Sequence, residues 1–144
     1  MTVIDCCQTN VMTISPDATA YDAANLMEEW NVGSIVVTEN ERPVGIVTDR
    51  DLVVRVLTQR LKSEEVGVRE IMTPDPLVLK DDTGLYQVIK AMREKGVRRL
   101  PVVDSKNRLT GIITADDVIR LLVKEMSCIS STIERELPTI PTVV

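Results

Sequence analysis

Two rhythms of apolar residues alternate along the chain. Ala20, Ala23, Ala24 and Met27 fall at three- and four-residue steps, and so do Leu85, Val88, Ile89 and Met92. That period places each set on one face of a helix. The spacing predicts helices over residues 19–31 and 83–95, with Asp17 and Asp81 or Asp82 suited to cap their starts. Two short runs rich in β-branched residues follow each helix, 34–38 with 43–47 and 100–103 with 109–113. β-Branched side chains suit a pleated, half-buried surface, so both pairs read as strands. The polar stretches 39–42 and 104–107 read as the hairpin turns between them. An extended piece precedes each helix, at 11–14 and 76–79. A second helix opens at Asp49, stopping near Leu61, and another at Ala115. Each half is therefore β-α-β-β-α, which predicts an α/β fold of the mixed α+β kind.

The halves repeat in sequence as well as in pattern. A shift of 65 residues places Val3 on Val68, Tyr21 on Tyr86, Met27 on Met92, Val32 on Val97 and Val37 on Val102. One extra residue between Asp104 and Asn107 moves the shift to 66. Gly45, Ile46, Thr48 and Asp51 then fall on Gly111, Ile112, Thr114 and Asp117. The charged stretch 62–67 reads as a linker. The expected organisation is a first repeat over 3–61, the linker, a second repeat over 68–124, and a C-terminal helix extension and tail over 125–144. Neither half is large enough to hide its sheet well, and pairing the two buries both.

Composition narrows the chemistry. The chain has 144 residues, with 44% apolar and 27% charged, enough to build a core without staples. It has no histidine, which removes His general bases, Ser-His and Cys-His pairs and His-ligated zinc. Aromatics make up 2% and the net charge is −5, a poor match to nucleic acid on both counts. No apolar run approaches the roughly 20 residues that span a bilayer. The start Met1-Thr2-Val3-Ile4-Asp5 has neither a basic region nor an apolar run, which predicts a cytoplasmic protein without a leader. Cys6, Cys7 and Cys128 are odd in number, and the adjacent pair is poorly placed to bridge. All three are expected to be reduced, small apolar residues.

The candidate chemistry lies in two strand-to-helix loops, Gly45-Ile46-Val47-Thr48-Asp49-Arg50-Asp51 and Gly111-Ile112-Ile113-Thr114-Ala115-Asp116-Asp117. Thr48 with Asp51, and Thr114 with Asp117, have the spacing of a capping box, which alone accounts for them. The same positions also suit a ligand. They follow a strand end, where ligands of α/β sheets sit, and the free N–H groups of a helix start favour phosphate. A carboxylate there is placed to accept hydrogen bonds from ribose hydroxyls.

The chain resembles a tandem pair of cystathionine β-synthase (CBS) domains, a Bateman module. The resemblance rests on the two loops above, on Asn31-Val32-Gly33-Ser34-Ile35-Val36-Val37 with Gly96-Val97-Arg98-Arg99-Leu100-Pro101-Val102-Val103, and on Ile71-Met72-Thr73-Pro74 opening the second repeat. It covers roughly residues 3–124. It implies two repeats packed about a pseudo-twofold axis, leaving two clefts that bind adenosyl compounds such as AMP, ADP, ATP or S-adenosylmethionine. On this resemblance Asp51 and Asp117 hold ribose, and Thr48 and Thr114 contact phosphate or ribose. Arg98 and Arg99 lie where basic groups face phosphate. Met12, Val32, Ile46, Val97, Pro101 and Ile112 are the apolar candidates against adenine. The halves differ: Gly33-Ser34 stands where the second repeat has Arg98-Arg99, and Asp49-Arg50 where it has Ala115-Asp116. The cleft of Asp117 with the arginines is expected to be the stronger, and that of Asp51 with Arg50 the second.

A further stripe, Val118, Leu122, Met126, Ile129, Ile133 and Leu137, continues past the second repeat at helical steps. It reads as an association surface and predicts a homodimer. The functional expectation is a ligand sensor without catalysis, cofactor or metal, acting on an unidentified regulated protein. The alternative is an association module with no bound nucleotide.

Overall fold

The protein is described by a computed structural model over residues 1–137. In the first half, β1 (Thr13–Ile14) leads into α1 (Ala20–Trp30), then β2 (Ser34–Glu39), β3 (Arg42–Thr48) and α2 (Asp49–Leu52), which runs on as a π-turn over Val53–Leu57. A short α3 (Val68–Ile71) and β4 (Thr73–Pro74) open the second half. It continues through β5 (Leu79–Lys80), α4 (Leu85–Lys95), β6 (Arg99–Val103), β7 (Leu109–Thr114) and α5 (Ala115–Glu136). The tail beyond residue 137, expected as the end of the C-terminal extension, lies outside the described residues. No helix of the described residues is long and apolar enough to cross a membrane.

The helix starts differ from the sequence expectation. Thr19, not Asp17, caps α1: its hydroxyl accepts the Asp22 N–H at 3.1 Å, and the Asp22 carboxylate accepts the Thr19 N–H at 2.9 Å. Those bonds hold the Asp22 carboxyl below its ordinary pKa. Asp17 instead faces Arg69 at 3.5 Å. Gly84 stands at the cap of α4 and brings no side-chain bond, so Asp81 and Asp82 do not cap it either. The Asp81 N–H is already used on the Val103 carbonyl at 3.0 Å. Both helices end at left-handed residues, Asn31 at φ 50° and Gly96 at φ 64°.

The sheets show how the halves interlock. The first runs β1-β2-β3-β4 and the second β5-β6-β7. β1 lies parallel to β2, and β5 to β6, while β2–β3 and β6–β7 are antiparallel hairpins. β4 belongs to the second half in sequence, yet it pairs antiparallel with β3, Ile46 opposite Thr73. The mirror event occurs at the other end, where Gln8 and Ile112 exchange both backbone bonds at 2.9 Å. Each half lends its leading segment to the other's sheet, and this reciprocity gives the pseudo-twofold axis.

The cores follow the exchange. Ile35, Val37 and Val47 pack with Ala20, Ala23 and Met27 of α1, and with Val68, Ile71 and Met72 from the second half's lead. Leu100, Val102 and Ile113 pack with Val88, Met92 and Val118, and with Val3 from the first half's lead, flanked by Cys6 and Cys7. Val3 and Val68 are wholly buried, each contributing about 1.5–3 kcal/mol of apolar burial across the exchange. All three cysteines are free thiols, and Cys128 is exposed on α5, because the helix has outrun the body there.

Each exchanged segment passes close over a glycine. A Cβ on Gly111 would lie 2.7 Å from the Cys7 Sγ and 2.9 Å from the Gln8 carbonyl oxygen. A Cβ on Gly45 would meet chiefly the Met72 side chain, with the Thr73 carbonyl at 3.1 Å. A flexible Met yields more readily than a backbone carbonyl held in a ladder. Gly111→Ala is therefore expected to cost about 1–3 kcal/mol, a loss of about 4–12 °C in Tm, and Gly45→Ala less. Thermal melts of the two variants check the order.

Candidate functional site

Exchange of the lead segments leaves a cavity of about 530 Å³ between the halves. One wall is first-half chain: Asn10, Val11 and Met12 ahead of α1, then Trp30, Val32, Gly33, Ser34 and Val36 around its end and into β2. The facing wall is second-half chain, Arg99 on β6 with Ile112 and Thr114 on β7, and Gln8 bridges the two. The apolar residues suit a flat, largely apolar group, and the polar ones cluster at the strand-to-helix end.

Asp117 stands at that end in the first turn of α5. It is 7% exposed, the one buried charged residue among the described residues. Its Oδ2 accepts the Thr114 N–H and the Thr114 hydroxyl, both at 2.9 Å, and the Thr114 hydroxyl accepts the Asp117 N–H at 3.2 Å. Its Oδ1 accepts the Gln8 side-chain amide at 3.0 Å and faces the Arg120 guanidinium at 3.5 Å. A buried carboxylate survives only with partners, and this one is further favoured by the N-terminus of a helix. The capping box therefore uses one oxygen, and the Gln8 amide and Arg120 take the other.

The pseudo-symmetric position is built alike but furnished differently. Asp51 Oδ2 accepts the Thr48 N–H at 2.8 Å and the Thr48 hydroxyl at 3.0 Å, while its Oδ1 lies 3.7 Å from Arg55. Thr73 stands there in place of Gln8, Lys95 in place of Trp30 and Ser34 in place of Arg99.

Of the residues singled out from sequence, Met12, Val32, Gly33, Ser34, Arg99, Ile112 and Thr114 line the one cavity, with Asp117 joined to it through Gln8. Gly33 keeps room there: a Cβ on it would lie 3.2 Å from Asp49 Oδ2 and 3.9 Å from an Arg99 nitrogen. Thr48, Asp51, Arg50 and Ile46 sit at the other strand end. Arg98 does not line the cavity. Its exposed guanidinium pairs with Asp116 at 3.3 Å. Pro101 does not line it either, being fully buried on β6 opposite Ile112. Val97 is exposed at the foot of β6.

Sequence reasoning missed Gln8, Asn10, Val11, Trp30 and Val36 as wall residues. The signal for Trp30 was available: it is the chain's one tryptophan, next to the helix-ending Asn31, and it stays exposed. The signal for Gln8 was its place in the repeat, against Thr73.

A scan for known families matches the CBS domain twice, over residues 3–58 and 68–124. An uncharacterized protein of Methanopyrus kandleri is 40% identical over 113 residues, which is 78% of this chain and 58% of that protein. An inosine-5'-monophosphate dehydrogenase of Methanocaldococcus jannaschii is 38% identical over 112 residues, 77% of this chain but 21% of the enzyme. The chain thus spans only part of these curated relatives. Among solved structures, CBSX2 in complex with AMP superposes with a TM-score of 0.75 at 31% identity, covering 87% of this chain and 98% of that one.

Two thiols lie just ahead of Gln8, against the second half's core. Burial raises the Cys6 and Cys7 thiols above the ordinary range, with Asp117 adding to the rise at both, whereas Cys128 is exposed. The thiolate is the nucleophile, so iodoacetamide at pH 8 is expected to modify Cys128 first. Cys6 and Cys7 should follow slowly, catching up as the pH is raised past the usual thiol range. Peptide mapping over time reads the order.

Proposed function

The chain belongs to the CBS domain family, with two domains in tandem, and from that premise we propose that it is a regulatory, ligand-sensing module that binds an adenosyl compound without catalysis. The observation that carries this reading is the cavity itself: both repeats wall it, it is largely apolar, and two of its wall residues, Gln8 and Thr114, hold the buried carboxylate of Asp117. Adenine fits the stretch between Met12, Val32 and Ile112. Asp117 takes ribose hydroxyls, and the Arg99 guanidinium takes phosphate. AMP, ADP, ATP and S-adenosylmethionine all present these groups. The AMP carried by CBSX2 supports the choice of class. The cleft of Thr48, Arg50 and Asp51 is the second, weaker site.

The reading is one of binding without chemistry. The carboxylates cap helices, and the chain has no histidine to serve as base. Signalling by such a module is a population shift, so the ligand must prefer one arrangement of the two repeats over another. Regulation then passes to a partner protein. Helix α5 supports self-association: Leu122, Met126, Ile129 and Ile133 are all exposed along one side of a helix that has left the body. We read this as the surface of a homodimer, in which the two apolar stripes cover each other.

Isothermal titration with AMP, ADP, ATP and S-adenosylmethionine tests the sensor reading. Asp117→Ala is expected to weaken binding by about 10–100-fold, the value of hydrogen bonds to a charged group, and Arg99→Ala by about tenfold. Both variants should keep the fold, since loss of the cap costs Asp117→Ala only about 0.5–2 kcal/mol. Unchanged affinity in both removes the cleft assignment. No binding across the panel leaves the association module. Sedimentation of Met126→Glu/Ile129→Glu is expected to show monomer where the parent chain shows dimer.

A further inference from the structure

We propose that Gln8 sets the affinity of this cleft, its side-chain amide occupying the carboxylate oxygen that a ribose-bearing ligand must take. The inference rests on the reading of Asp117 as the ribose-binding group and deepens it. Asp117 has two oxygens with different duties. Oδ2 is committed to Thr114, and both of those bonds belong to the helix cap. Oδ1 is the oxygen left for a ligand, and the Gln8 Nε2 donates to it at 3.0 Å. The amide is a neutral N–H donor standing where a hydroxyl donor would stand.

The surroundings of Gln8 make this contact reversible. Its backbone is fixed, paired in both directions with Ile112 at 2.9 Å and pressed beside Gly111 by the neighbouring Cys7. The residue as a whole is nevertheless exposed, so its side chain can leave Asp117 for water by rotation alone. No strand pairing has to break. Displacement by ligand exchanges one hydrogen bond to a charged group for others, and only a ligand that brings its own donors compensates Asp117. The device belongs to one cleft. Both acids have an arginine beside the second oxygen, Arg120 at Asp117 and Arg55 at Asp51, but at the symmetric position Thr73 replaces Gln8 and makes no bond to Asp51.

A ligand that binds only the uncovered form has its affinity reduced by the uncovered fraction. A covering bond favoured about tenfold therefore weakens binding by about tenfold. It acts only on ligands that need Oδ1, which makes the chemical class testable. A nucleotide with ribose hydroxyls must displace Gln8, whereas a 2′,3′-dideoxy analogue has no donor to put there and leaves Gln8 in place.

The experiment measures the Kd of AMP and of 2′,3′-dideoxy-AMP for the full chain and for Gln8→Ala, read by titration calorimetry and by the fluorescence of Trp30, which stands at this cleft and is the chain's one tryptophan. The expected result is AMP binding about tenfold tighter in Gln8→Ala, with the dideoxy analogue unchanged. Gln8→Thr, which copies the second repeat, should tighten AMP in the same direction and stands in if Gln8→Ala melts early. AMP bound equally or less tightly by the variants overturns the role of Gln8 while leaving the cleft assignment standing. Equal tightening of both nucleotides also overturns it, since that marks a roomier cavity only. Failure of the parent and variants alike to bind AMP removes the cleft assignment, and this inference with it.

Discussion

The passage of each leading segment over a glycine of the opposite half is the constraint on which the rest depends. Gly45 lies under Met72 and Thr73, and Gly111 under Cys7 and Gln8. A side chain at either position would push the segment away from the strand beneath it and weaken the pairing, more so at Gly111 than at Gly45. Without that pairing, Val3 and Val68 would leave the cores they complete. Neither half then keeps a closed core, because each owes an apolar residue to the other. The two repeats are therefore one folding unit, joined by two equivalent crossings rather than by the linker between them.

The same crossings build the cleft. A segment that begins on the second sheet at Gln8 and returns to the first at Met12 must bridge the gap between the halves. That bridge, from Gln8 through Asn10 and Val11 to Met12, is one edge of the cavity. The opposite edge is the β7-to-α5 turn, whose Gly111 permits the crossing and whose Asp117 reaches back to Gln8. Structural glycine and candidate binding carboxylate thus lie six residues apart for one reason: the strand that accepts the crossing also ends at the helix that presents the acid.

Much of this was legible in the chain. Duplication, the β-α-β-β-α order and the hairpins follow from periodicity, because a period of two or of 3.6 is a local property. The Thr48/Asp51 and Thr114/Asp117 boxes followed from spacing and formed as written. The misses share a cause. Asp17, Asp81 and Asp82 were assigned as caps because acids suit helix starts, yet Thr19 and Gly84 hold those places. Arg98 and Arg99 are indistinguishable in sequence, but Arg99 opens β6 and lines the cleft while Arg98, just ahead of the strand, pairs with Asp116. Pro101 looked apolar enough to meet a base, and being apolar it is buried on β6. Gln8 acquires its meaning only through a contact with a residue 109 positions away. Such a pairing is set by the crossing, which no local pattern encodes.

The geometry also dissolves the opposition between cap and ligand site. Treated as alternatives, the capping box accounts for Asp117 so fully that a ligand role looks redundant. A carboxylate has two oxygens and room for about four hydrogen bonds, and the box uses only one of the oxygens. Fixing Oδ2 against Thr114 leaves Oδ1 to Gln8 and Arg120, so in the proposed site the acid is ordered before a ligand arrives. Helix capping is thus the means by which the acid is preorganised. Identical boxes in both halves fix two acids alike, each with an arginine beside its second oxygen, and the surroundings then differ at Gln8 against Thr73, Trp30 against Lys95 and Arg99 against Ser34. Repetition supplies the frame, and divergence at a few facing positions furnishes its two copies differently.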